Sequence, residues 1–103
     1  MSAGTMAAQA PALSCLAGIA VSHPDLPGAY LVSSQVTANA LTVQLKHPAH
    51  VEAWREALDV PAEALFMSRI GDQSSLEFQA RRYEVVWHVY AVGCTTETAG
   101  GAT

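Results

Sequence analysis

The chain reads as an α+β two-layer sandwich, an antiparallel sheet of four to five strands carrying two helices on one face, in the order αββαβ(β)β. Three observations predict it. Leu41–Lys46 alternates apolar Leu41, Val43 and Leu45 with Thr42, Gln44 and Lys46, the period-two signature of a half-buried strand. Directly after it the period changes: Val51, Trp54 and Leu58 recur at i, i+3 and i+7, with Ala53 and Ala57 alongside, and Glu52, Arg55, Glu56 and Asp59 fall opposite. The third is Leu76–Val92, strand-like throughout, which as one strand would run to roughly 55 Å in a domain with an expected radius of gyration near 13 Å. It must double back.

Each element follows in chain order. Residues 1–10 are small and carry little pattern, and read as a flexible, fraying tail. Pro11–Ser22 places Leu13, Leu16 and Ala20 on one face, with Cys15 and Ile19 beside them, and reads as a first helix with Pro11 near its start. His23–Gly28, with two prolines and a glycine, is a turn. Tyr30–Val36 reads as a strand with Tyr30, Val32 and Val36 inward and Ser33 and Gln35 outward. Thr37–Ala40 then turns it into Leu41–Lys46 as a hairpin. Pro48 suits a first helical residue, since its ring presets φ and its missing N–H would be unpaired there anyway, and Val60-Pro61 stops the second helix. Pro61–Leu65 makes one further turn, Leu65–Ile70 a strand, and Gly71–Ser74 a connection.

For the closing ribbon, a reversal near Arg82-Tyr83, or a four-residue loop over Arg81–Glu84, pairs Phe78 with Trp87, Leu76 with Val89 and Ala80 with Val85 on one buried face. The single domain then spans 11–93, and 94–103, rich in Gly and Thr, reads as a disordered tail.

The totals restrict function. With 103 residues the chain is one domain able to bury a core without metal or disulfide staples, and only 14% of it is charged. A net charge of −4 works against general phosphate binding. The first 45 residues contain no Lys or Arg and one acid, Asp25, so Met1–Val21 lacks the basic start of a secretory signal, and its apolar run is too short to span a bilayer. Two cysteines, Cys15 and Cys94, suggest reduced thiols in a cytoplasmic protein.

The expected interface is the sheet face away from the helices. Along the first, second and fourth strands this face carries polar side chains, but the last strand presents Val86, His88, Tyr90 and Val92 there, beside Glu77 and Gln79. A strand apolar on both sides is usually covered on both sides, and with only two short helices the second cover is expected to be another copy of the chain or a protein partner. His88 falls opposite Glu77 in the same registry, where a cross-strand polar pair accounts for it.

Other chemistries have only fragments of their signatures here. His47 and His50 with Glu52 resemble a pair of metal ligands, but zinc needs three or four, so no metal or cofactor is expected. Cys94 follows His88 without an orienting acid, and Cys15 lies on an apolar helix face, so no catalytic residue is assigned. Arg81 and Arg82 with nearby aromatics suggest nucleic acid as an alternative, although no basic stripe accompanies them. A second alternative is a small-molecule-binding or enzymatic domain with its site between sheet and helices.

The segments Leu26-Pro27-Gly28-Ala29-Tyr30-Leu31, LTVQL at 41–45, VEAWREALDV at 51–60 and VVWHVYAVG at 85–93 together resemble a loose group of small proteins from actinobacteria and their phages. The likeness covers roughly Ser14–Gly93. It implies an α+β fold and brings no activity or functional residues with it. The expectation from the sequence is a small non-enzymatic interaction or regulatory accessory module, self-associating through its last strand.

Overall fold

The computed structural model describes residues 4–34 and 36–92. Its elements are α1 (Met6–Ser22), β1 (Tyr30–Ser33), β2 (Ala40–Leu45), α2 (Pro48–Ala57), a 3₁₀ turn (Ala62–Ala64), β3 (Phe66–Ile70), β4 (Gln73–Arg82) and β5 (Val85–Val92). The fold is α+β, with one five-stranded sheet in the order β1-β2-β5-β4-β3.

The sheet is mixed, where an antiparallel one was expected: β2 and β5 run parallel, while the other three pairings are antiparallel. The physical reason is the crossover through α2. A helical connection returns the chain to the end of the sheet from which it left, so β3 runs in the same direction as β2. β3 lands at the far edge, and the β4–β5 ribbon fills the two positions left open, which sets β5 parallel against β2.

α1 begins at Met6, so residues 6–10, expected to fray, are helical. Thr5 provides the start, its Oγ1 accepting the Ala8 N–H at 3.2 Å. Pro11 sits inside the helix rather than near its start. It removes one backbone bond, but Pro11 and Ala7 are both exposed, so the orphaned Ala7 carbonyl can turn to water.

β1 is shorter than expected and its faces are exchanged. Its register pairs Tyr30 with Gln44 and Val32 with Thr42, which puts Tyr30 and Val32 on the open face and Leu31 and Ser33 on the helix side. A shift of one residue reverses every side chain of a strand. Ser33 is held there by α1, since Gln9 Nε2 donates to its hydroxyl at 2.8 Å and to its carbonyl at 3.2 Å. Val36, expected inward, is 80% exposed beyond the strand end, and Gln35 lies outside the described residues.

α2 behaves as its period requires. Pro48 opens it, and Val51 and Trp54 are buried. Its end is a Schellman arrangement: Asp59 takes φ 58°, its N–H bonds Glu56 O, and the Val60 N–H bonds Arg55 O. The core beneath it joins Leu41, Val43 and Leu45 of β2 to Phe78, Trp87, Val89 and Ala91, with the Trp54 and Trp87 rings 6.4 Å apart.

The β4–β5 ribbon doubles back one residue later than expected. Phe78 faces Val89, Ala80 faces Trp87 and Leu76 faces Ala91, so each expected pairing slips by two residues. An even slip preserves the faces, and Phe78 and Trp87 remain buried. The turn is Tyr83-Glu84, with φ 57° and 60°, the type I′ conformation whose twist matches a hairpin. Neither residue favours that region. Replacing Tyr83-Glu84 by Asn-Gly should therefore stabilise the protein by about 1 kcal/mol, read as a higher denaturant midpoint with an unchanged slope; a lower midpoint would mean that Tyr83 contributes packing which outweighs its strain. β4 also begins earlier than expected, at Gln73, because Gly71 with φ 63° makes a tight β3–β4 hairpin.

Candidate functional site: the open face of the sheet

Both helices pack on one face, and the described residues leave the opposite face of the sheet uncovered. Across its middle, the strand registers align Tyr30, Gln44, Tyr90, Glu77 and Phe66 in one row spanning all five strands. A second row brings Val32, Thr42, His88 and Gln79 together. β5 lies at the centre of the sheet and alternates buried Val85, Trp87, Val89 and Ala91 with half-buried Val86, His88, Tyr90 and Val92. The six residues expected to form an interface, Val86, His88, Tyr90, Val92, Glu77 and Gln79, therefore share this face. It also gains Tyr30, Val32 and Phe66, which sequence reasoning did not place there; Tyr30 is 66% exposed. The alignment signal in β1 was absent, because Tyr30, Leu31 and Val32 are all apolar.

The centre of the face is polar, and of its buried groups the Ser75 hydroxyl has no hydrogen-bond partner among the described residues. His88 Nε2 lies 2.8 Å from Glu77 Oε1, and the His88 ring stacks on Tyr90 with centroids 5.2 Å apart. Glu77 was expected directly opposite His88; it is instead opposite Tyr90 and reaches His88 along the diagonal. The Ser68 hydroxyl donates to the other carboxylate oxygen, and Ser75 lies fully buried alongside. Glu77 is only 8% exposed despite sitting on the uncovered side. Burial alone would raise its pKa, but hydrogen bonds from Ser68 and His88, with the His88 charge, hold it below the ordinary carboxylate value. A depressed carboxylate contributes stability that is present above its unfolded pKa and is lost as pH falls through the folded one. Acid titration of the unfolding free energy should therefore show a loss below the ordinary glutamate range that Glu77→Gln lacks. Parallel acid limbs in the two proteins would show that the carboxylate contributes no such term.

The remaining candidates are dispersed. His47 and His50 meet edge to face at 5.1 Å, and among the described residues no group of three or more His, Cys, Asp or Glu side chains is placed to hold a metal. Cys15 is half-buried on α1, and burial pushes its thiol pKa up, which disfavours the nucleophilic thiolate. Cys94 lies outside the described residues. Arg81 stands exposed at the margin of the open face, opposite Val86, whereas Arg82 is committed elsewhere: its Nε donates to Leu58 O at 3.0 Å and its Nη2 to Asp59 O. Only one of the two arginines considered for nucleic acid is thus available. No described helix is long and apolar enough to cross a membrane.

No protein-family model matches this chain. Neither a curated protein nor a solved structure matches it.

Proposed function

We propose that the protein is a small non-enzymatic interaction module, regulatory or accessory in role, that associates with a second copy of itself through the open face of its sheet. The observation that supports this most directly is the central strand β5, whose outward side chains are Val86, His88, Tyr90 and Val92 on a face that no described element covers. Flanking Tyr30 and Phe66 extend this apolar and aromatic surface across the strands, and such patches on soluble proteins mark contact sites. Two copies packed face to face would set their sheets about 10 Å apart with these side chains interdigitated between them. Glu77 suits such burial, because Ser68 and His88 already satisfy its carboxylate.

Size limits the affinity. Five strands about 4.8 Å apart and about six residues long give a face of roughly 24 × 20 Å, smaller than the roughly 800 Å² that each partner buries in a standard interface. The association is therefore expected in the micromolar range. Sedimentation from about 1 to 500 μM should show a monomer–dimer equilibrium, with Tyr90→Lys weakening it at least tenfold in a protein that still folds as a monomer. A monomer at the highest concentration defeats the proposal. A dimer indifferent to Tyr90→Lys places the contact elsewhere.

A further inference from the structure

On the opposite side of the sheet, between α1 and the β1 edge, lies a pocket of about 300 Å³. Leu16, Ala17 and Ala20 of α1, Leu26 of the following connection, Leu31 of β1 and Trp54 of α2 bound it. No Lys, Arg, Asp or Glu is among its lining residues, and the sole titratable one is His23, which is exposed. Trp54 presents no unmet polar group, since its Nε1–H already donates to Pro27 O at 2.9 Å.

The pocket has a cause in the sequence of α1. From Met6 to Ser22 this helix carries no charged residue, yet it buries only Ala12 and Ile19. A helix apolar on all sides normally has its whole circumference covered. Here the small side chains Ala17 and Ala20 stand where larger ones would close the gap onto Leu31 and Trp54.

We infer that this pocket is a binding site for an uncharged aromatic small molecule. A charged ligand would lose its hydration and meet no Lys, Arg, Asp or Glu in the walls, the exposed His23 being the one lining side chain able to pair with it. An aromatic ring can pack against the Trp54 indole in an offset or edge-to-face arrangement. A dry apolar cavity of about 150 Å³ holds one benzene, so this volume admits about a dozen non-hydrogen atoms, a fused or linked pair of rings. The site lies on the helix side and is independent of the open sheet face.

The test uses the full chain and two probes, 1-aminonaphthalene, whose fluorescence responds to the polarity of its surroundings, and naphthalene as its competitor. The expected results are saturable binding with a dissociation constant of about 1–100 μM, displacement by naphthalene, and a shift of the Trp54 indole N–H resonance. Ala17 and Ala20 are exposed helical positions, so Ala17→Trp and Ala20→Phe should fold and fill the pocket, each weakening binding at least tenfold. Tyr90→Lys should bind the probe as the wild type does, which separates this site from the self-association surface. Binding unaffected by both filling variants, or lost with Tyr90→Lys, overturns the assignment, as does the absence of saturation.

Discussion

Trp54→Ala should lower the unfolding free energy by about 3–5 kcal/mol, a large share of the roughly 5–15 kcal/mol available to a domain of this size. Three losses combine at this position. The indole is 4% exposed and packs against Trp87 with centroids 6.4 Å apart, so truncation opens a cavity where helix meets sheet. Its Nε1–H also ties the 23–29 connection to α2 through Pro27 O, and removing the donor leaves that carbonyl unpaired. Finally, the ring forms part of the wall under α1, whose own buried contacts are few. Chemical denaturation followed by circular dichroism measures the change. A loss below about 1 kcal/mol would show that the two layers repack without the indole, and the placement of α2 would need revision. Trp54→Phe helps to separate the terms, because it removes the hydrogen bond but only part of the buried volume.

Arg82→Ala should cost about 1.5–3 kcal/mol, more than its place at a hairpin end would suggest. The guanidinium donates to Leu58 O and Asp59 O, two carbonyls left free at the C-terminal end of α2. A cation there also complements the helix dipole. The same residue's carbonyl accepts from Trp87 Nε1 at 3.2 Å, so Arg82 joins the ribbon, the buried indole and the end of the helix. Arg82→Lys keeps the charge but cannot reach two carbonyls with a planar fork, and should recover less than half of the loss. If Arg82→Ala melts like the wild type, the helix end is adequately served by its own Schellman bonds and by Arg55, which donates to Val60 O. Arg81→Ala is the control: its side chain is exposed on the other face and should change stability little.

The contact of Arg82 with the end of α2 explains why a basic pair in a sequence is a poor guide to function. Arg81 and Arg82 are adjacent, and adjacent strand residues point to opposite faces. One is therefore free to meet a partner while the other is recruited by the fold.

Much of the architecture was legible because hydrophobic period reports burial directly. Leu41, Val43 and Leu45, then Val51, Trp54 and Leu58, and then Phe78 and Trp87 all lie in the core, as their spacing requires. The outward placement of His88 and Tyr90 was legible for the same reason, and it survived a two-residue slip because the strand period is two. Where the period falls silent, inference failed. Tyr30, Leu31 and Val32 offer no alternation, so the polar tether from Gln9 to Ser33 and the pairing with β2 decide which side faces the helices. Tyr83-Glu84 gives no compositional hint of a positive-φ turn, and Thr5 as a helix cap was obscured by Pro11 six residues later.

Taken alone, then, the amino-acid order determined most of the strand and helix segments and the side chains that α2, β2, β4 and β5 bury, since those are local matters of period, capping and side-chain shape. Only the assembled structure decided that β5 enters the sheet beside β2 in parallel, that Tyr30 and Phe66 join Tyr90 on one uncovered face, and that α1 leaves a gap over Trp54. Strand order and the fit between layers arise from contacts between residues far apart in the chain, and no local pattern of residues encodes them.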